Sequence, residues 1–215
     1  MNKYTINDNY FGEIDNEYEA YILGYLYAKG SVFRGQEGER YELTISGTDL
    51  ELIEKIKRIL RSTHKIKPNG DAYKMRVASK GFVLNLGDLG LTGNKTETLD
   101  YPRFIPRDVE RHFIRGYFDG KGSFMIEEGR RVTSNIAAGS YRFIEGLRDR
   151  LVSLGLSRAN IHQYGAMQST NIIRYYVKDT KKLYRLLYTD ARIYSRSQED
   201  RYFLGLYCAE KDGEA

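Results

Sequence analysis

The chain holds one cysteine, Cys208, and no tryptophan in 215 residues. A single thiol excludes an intramolecular disulfide and any zinc centre built from several thiolates. Histidine is scarce too: His64, His112 and His162 fall far apart and in different expected elements, so no histidine-rich metal site is expected. No apolar run approaches the roughly 18 residues that a membrane span requires, so no membrane partner is expected. The stretch from Met1 to Glu17 is polar and acidic, unlike a signal peptide, which makes an intracellular protein the expectation, cytoplasmic or, in a prokaryote, nucleoid-associated. Acidic residues are outnumbered 29 to 34 by Lys and Arg, giving a formal charge of +5. That balance permits a polyanionic partner without requiring one.

What the chain has in plenty is tyrosine, 19 residues, suited to half-buried sheets where the ring packs and the hydroxyl stays wet. It also has a repeat. The pattern G-Y-x-x-x-K-G runs from Gly24 to Gly30 and recurs from Gly116 to Gly122. Each copy follows an apolar stretch, Ala20-Tyr21-Ile22-Leu23 in one and Phe113-Ile114 in the other, and each precedes a strand, so each reads as a helix ended by glycine. A repeated motif implies two half-domains sharing one core, 1–97 and 109–215, joined by a polar linker over 98–108 that contains Pro102 and Pro106.

The rest of each half follows the same order. Arg40-Tyr41-Glu42-Leu43-Thr44-Ile45-Ser46 alternates, with Tyr41, Leu43 and Ile45 on one face. Thr48 and Asp49 cap an amphipathic helix from Leu50 to Leu60 whose Leu52, Ile53, Ile56, Ile59 and Leu60 form one stripe. A hairpin follows, His64 to Lys67, the turn Pro68-Asn69-Gly70 and the strand Tyr73 to Val77, then a helix from Lys80 to Leu89. In the second half the motif helix leads into a strand region Phe124 to Ile136, a helix Tyr141 to Leu154, strands Asn160 to Tyr164 and Ile172 to Lys178, and a helix Thr180 to Leu187. A final helix, Arg196 to Ala209, is extra. Alternation places Ile173, Tyr175 and Val177 on one face and Arg174, Tyr176 and Lys178 on the other; near Val132 it groups Arg131, Thr133 and Asn135. Both halves therefore read α-β-β-α-β-β-α, an α+β fold in which each sheet has one face under helices and one polar face.

The phrases Ile22 to Gly30 and Ile114 to Gly122, with the run Arg111-His112-Phe113-Ile114-Arg115-Gly116-Tyr117-Phe118-Asp119-Gly120, resemble the two signature motifs of single-chain LAGLIDADG homing endonucleases. That resemblance implies two pseudo-twofold half-domains, motif helices packed side by side, and a saddle of two antiparallel sheets lying in the DNA major groove. Gly24 and Gly116 would let the helix backbones approach, and Gly30 and Gly122 would let the chain leave each helix. Arg and Lys read guanine edges and Asn and Gln read adenine. The candidate base or backbone contacts are Arg34, Gln36, Arg40, Lys74, Arg76, Arg131, Asn135, His162, Gln168, Arg174 and Lys178.

The resemblance breaks at its chemical centre. In active members the residue before the last motif glycine is an acidic metal ligand; here the two positions are Lys29 and Lys121. An ammonium has no lone pair for a hard cation, so Mg²⁺-assisted hydrolysis loses its ligands and no cofactor is expected. Asp119 occupies the earlier acidic position of the second motif, matched by Tyr27 in the first. Glu13, Asp15, Glu17 and Glu19 read as solvated charge at a helix start. Lys95 resembles a basic residue that the family sets beside its metals, with Arg196 as a weaker counterpart in the second half. Lys29 and Lys121 suit helix C-termini electrostatically and would meet a phosphate backbone laid across them.

Three functions follow as alternatives: a monomeric, sequence-specific reader of double-stranded DNA that does not cut and serves as a regulator; a homing endonuclease that cuts or nicks with Mg²⁺ through unusual ligands such as Asp119; and an RNA-binding intron maturase. Neutral decay of an endonuclease is the fourth outcome.

Overall fold

The computed structural model describes residues 4–35, 40–127, 131–165 and 169–211. Gln36 and Gln168 fall outside them.

Helix α1 (Glu17–Lys29) starts where the Asn16 side chain accepts from the amides of Tyr18 and Glu19, satisfying two of the donors a helix start leaves free. Every residue from Ala20 to Ala28 is buried. A helix covered on all sides belongs in the core rather than on its surface. Strands β1 (Gly30–Arg34) and β2 (Tyr41–Gly47), helix α2 (Leu50–Ile59), strands β3 (Ile66–Asn69) and β4 (Ala72–Ala78), and helix α3 (Lys80–Asp88) complete the first half. After the single turn α4 (Lys95–Thr98), the order repeats: α5 (Glu110–Lys121), β5 (Gly122–Ile126), β6 (Val132–Ala138), α6 (Tyr141–Ser153), β7 (Ile161–Tyr164), β8 (Thr170–Tyr175) and α7 (Val177–Tyr188). Helix α8 (Arg196–Lys211) is the additional C-terminal element.

The strands form two antiparallel four-stranded sheets, ordered β1-β2-β4-β3 and β5-β6-β8-β7. Each sheet buries one face. Leu43, Ile45, Met75 and Val77 pack under Leu52, Ile53 and Ile56 of α2 and Phe82, Val83 and Leu86 of α3. In the second half Phe124, Ile136, Ile173 and Tyr175 meet Phe143, Ile144, Leu147 and Leu151 of α6 and Leu183 and Leu187 of α7. The α-β-β-α-β-β-α order in each half and the mixed α/β architecture stand as the sequence implies. Between the halves, Leu99, Ile105 and Val109 are buried and anchor the connection to the core at intervals.

Several local expectations are corrected. Pro68 and Asn69 belong to strand β3, paired with Tyr73 and Ala72, and the turn is Gly70-Asp71, with Gly70 at φ 61°. Pro68 is tolerated because β3 is an edge strand and its missing amide breaks no ladder. Strand β8 ends at Tyr175. The Tyr176 carbonyl accepts from the Thr180 amide and the Tyr175 carbonyl from the Thr180 hydroxyl, turning the chain into α7 early. Lys178 therefore rides on a helix and leaves the polar sheet face.

Candidate nucleic-acid interface

Helices α1 and α5 pack side by side along their length at the junction of the two halves. A Cβ on Gly24 would lie 2.8 Å from the carbonyl carbon of Phe113 and closer to its oxygen; one on Gly116 would lie 2.9 Å from the carbonyl carbon of Tyr21. These glycines set how near the helices come. Gly120 adds a third close approach, its missing Cβ 3.1 Å from Lys29 Cγ.

Gly30 and Gly122 stand where the chain leaves each motif helix. Their φ values are −72° and −94°, extended rather than left-handed. The atoms nearest a would-be Cβ belong to each glycine's own helix rather than to the partner helix: on Gly30 it would meet the Leu26 carbonyl oxygen at 2.6 Å, and on Gly122 the Phe118 ring. What makes glycine necessary is space at the exit from helix to strand. The second motif residue, tyrosine in both copies, ties each helix to its own sheet, Tyr25 to the Ser46 carbonyl at 3.2 Å and Tyr117 to the Ala137 carbonyl at 2.9 Å.

Where the two helices end, three ammoniums converge. Lys95 Nζ donates to two carbonyls in the last turn of α1, Leu26 at 3.0 Å and Tyr27 at 2.8 Å; the Leu26 carbonyl also accepts from the Gly30 amide. Burial, then the charges of Lys121 and Lys29, bring its pKa from 10.5 down to about 7. Lys29 is lowered for the same two reasons, burial first and Lys121 second. Lys121 is exposed. The helix end carries partial negative charge and Lys95 meets it directly, yet three like charges in one place still oppose one another. Arg196 is not part of this cluster: it reaches Glu51 on α2 at 3.4 Å, and Gln198 instead bonds to the Gly122 carbonyl at 2.9 Å.

Asp119 is taken up by other partners. Its carboxylate accepts from the Tyr21 hydroxyl at 2.6 Å, the Tyr188 hydroxyl at 2.5 Å and the Ser195 amide at 2.7 Å. Burial raises its pKa to about 6 despite those bonds and the nearby Arg115. Arg115, with no exposed surface, donates to Glu17 at 2.5 Å and to the carbonyls of Ile193 and Leu187. Glu17 is thus the partly buried half of an ion pair spanning the two halves, not solvated helix-start charge. Sequence offered no signal for this pair, since its members stand 98 positions apart. Among the described residues no group of three or more His, Cys, Asp or Glu side chains could hold a metal.

The open sheet faces carry most of the expected contact residues. Strand register aligns Ser31, Thr44 and Arg76 across the first sheet and Ser123, Asn135 and Arg174 across the second. Lys74 sits beside them opposite Lys67, an exposed lysine that the sequence reading passed over. His162 holds the place in the second sheet that Lys67 holds in the first, opposite Ile172. Arg40 and Arg131 close equivalent strand ends, their carbonyls accepting from the amides of Gly35 and Glu127. Arg34 does not join this face. It pairs with Tyr41 on the helix-covered side, where its guanidinium carbon blocks Gly87 at 3.0 Å from a would-be Cβ.

Residues 108–200 match the family model described as a LAGLIDADG-like domain. No curated protein sequence matches the chain. Among solved structures, I-GzeII in complex with its DNA target is 12% identical, with a TM-score of 0.62 over 93% of this chain and 91% of that one. I-DmoI in complex with DNA and Ca is 16% identical, with a TM-score of 0.58 over 83% and 92%. A variant of I-DmoI with its target DNA in the presence of Mg is 17% identical, with a TM-score of 0.59 over 85% and 99%. Two pseudo-symmetric halves, a glycine-packed helix pair and two open antiparallel sheets give this chain the fold of the LAGLIDADG homing endonucleases.

Proposed function

We propose that this protein binds double-stranded DNA in a sequence-specific manner, as a monomer, and does not hydrolyse it. The observation that carries the reading is the meeting of Lys29, Lys121 and Lys95 at the ends of α1 and α5; Lys29 and Lys121 stand where the resemblance implies carboxylates. The fold implies a divalent cation there, and this donor set does not fit one: ammoniums offer no lone pairs and repel a cation. Asp119 is no substitute, because both its oxygens already accept from Tyr21, Tyr188 and Ser195. The same lysines suit phosphates, whose approach relieves their mutual repulsion. The open sheet faces, with Arg76, Arg174, Lys67, Lys74 and Asn135, match the polar surface needed in a major groove. Such a protein acts by occupancy, as a regulator does.

The test is selection of bound sequences from a random duplex pool with Mn²⁺ present, scoring both enrichment and strand breaks. Enriched, intact duplexes are expected. Breaks at a fixed position would make the protein a nuclease, and enrichment confined to an RNA pool would make it an RNA binder.

A further inference from the structure

Strand register makes Arg76 and Arg174 equivalent residues of the two halves. Arg76 lies opposite Thr44, itself opposite Ser31; Arg174 lies opposite Asn135, itself opposite Ser123. Ser31 and Ser123 each directly follow the last glycine of a motif. Each arginine also has a glutamate beside it on the open face. Arg76 Nε is 3.8 Å from Glu42 Oε1, and Arg174 Nη1 is 3.3 Å from Glu127 Oε1.

We propose that Arg76 and Arg174 each read a guanine, at two base pairs placed symmetrically about the centre of the bound DNA site. The proposal rests on the reading of the protein as a duplex DNA binder. A guanidinium matches the O6 and N7 acceptors of guanine bidentately, and a carboxylate beside it fixes the fork before the base arrives. Neither glutamate could bond a guanine edge itself, since that edge presents acceptors alone; each favours the paired cytosine amino group instead. Both members of each pair thus favour the same G·C base pair.

The halves differ in how firmly they hold the fork. Arg174 is fixed twice, its Nε donating to Asn135 Oδ1 at 3.1 Å as well as pairing with Glu127, and Glu127 in turn accepts from the Thr133 hydroxyl. Arg76 is more exposed, 61% against 39% for Arg174, and shares Glu42 with Arg40, which is nearer at 2.8 Å. A preorganised donor loses less freedom on binding, so the half containing Arg174 discriminates more strongly.

The experiment is the same duplex selection run in parallel on the wild-type protein, Arg76→Gln and Arg174→Gln. Wild type is expected to recover G·C at two positions equidistant from the site centre. Each Gln variant should lose about tenfold or more of the guanine preference at one of them alone, shifting toward adenine, with the larger loss for Arg174→Gln. Two outcomes overturn the assignment while leaving DNA binding intact: enriched sites with guanine preferences untouched by either variant, or affected positions that are not equidistant. Failure of wild type to enrich any duplex overturns the DNA-binding reading and the assignment with it.

Discussion

Gly24 and Gly116 occupy each other's neighbourhood reciprocally: each lies against the backbone carbonyl three residues before the other, Gly24 on Phe113 and Gly116 on Tyr21. The opposing atoms are backbone within helices, so they cannot swing aside as a flexible side chain would. Gly24→Ala and Gly116→Ala should each destabilise the protein by about 3 kcal/mol or more, because a methyl forces two packed helices apart. Gly93→Ala, whose Cβ would find the Val32 carbonyl oxygen at 3.4 Å, is the control and should be near neutral. Urea unfolding midpoints decide between them.

Lys29→Ala and Lys121→Ala should each reduce the salt dependence of DNA binding by about one unit of slope. The loss should be similar for specific and random duplexes, since a phosphate contact carries no sequence information. An unchanged slope would show that these ammoniums do not touch phosphate.

Lys95 should leave a mark on stability against pH. Its pKa is about 7 in the folded protein and 10.5 ordinarily. Between those values the unfolded chain holds a proton that the folded protein lacks, so stability rises with pH across this window; below about pH 7 the cost of burying the charge is present in full. Lys95→Met should flatten the rise. Thermal melts of the two proteins from pH 6.5 to 10 measure it.

Asp119 should prove structural. Asp119→Ala leaves two tyrosine hydroxyls and the Ser195 amide without their acceptor, at a cost of about 2 to 4 kcal/mol. The carboxyl titrates at about 6 rather than 3.8, so between these values the folded protein keeps a proton that the unfolded chain gives up, and stability falls as pH rises through the window. Asp119→Asn should abolish that fall, read from chemical unfolding between pH 4 and 7.

Much of the fold is legible in the sequence, because its signals are local. Alternation in Tyr41 to Ser46 marks a strand with one buried face, and the repeat of G-Y-x-x-x-K-G marks two related helices. The faces of Arg76, Arg174, Asn135 and Lys74 follow from the same period. Arg34 was misplaced because alternation within a short strand does not say which face the helices cover. Lys178 was misplaced because the strand pattern runs on through Val177, while the Thr180 contacts that end the strand involve the helix that follows it. The purpose of the repeated tyrosine was missed, although its recurrence at Tyr25 and Tyr117 was the available signal.

By itself the sequence determined the duplication, the order of elements, the glycines that bring two helices together and the two lysines that stand at their ends. Tertiary structure alone decided that Lys95 joins those lysines, that Asp119 is spoken for by Tyr21, Tyr188 and Ser195, and that Glu17 pairs with Arg115. The division has a physical cause. Periodicity and turn chemistry act over a few residues and are written in neighbouring letters, whereas burial and charge depend on which distant segments the fold packs together.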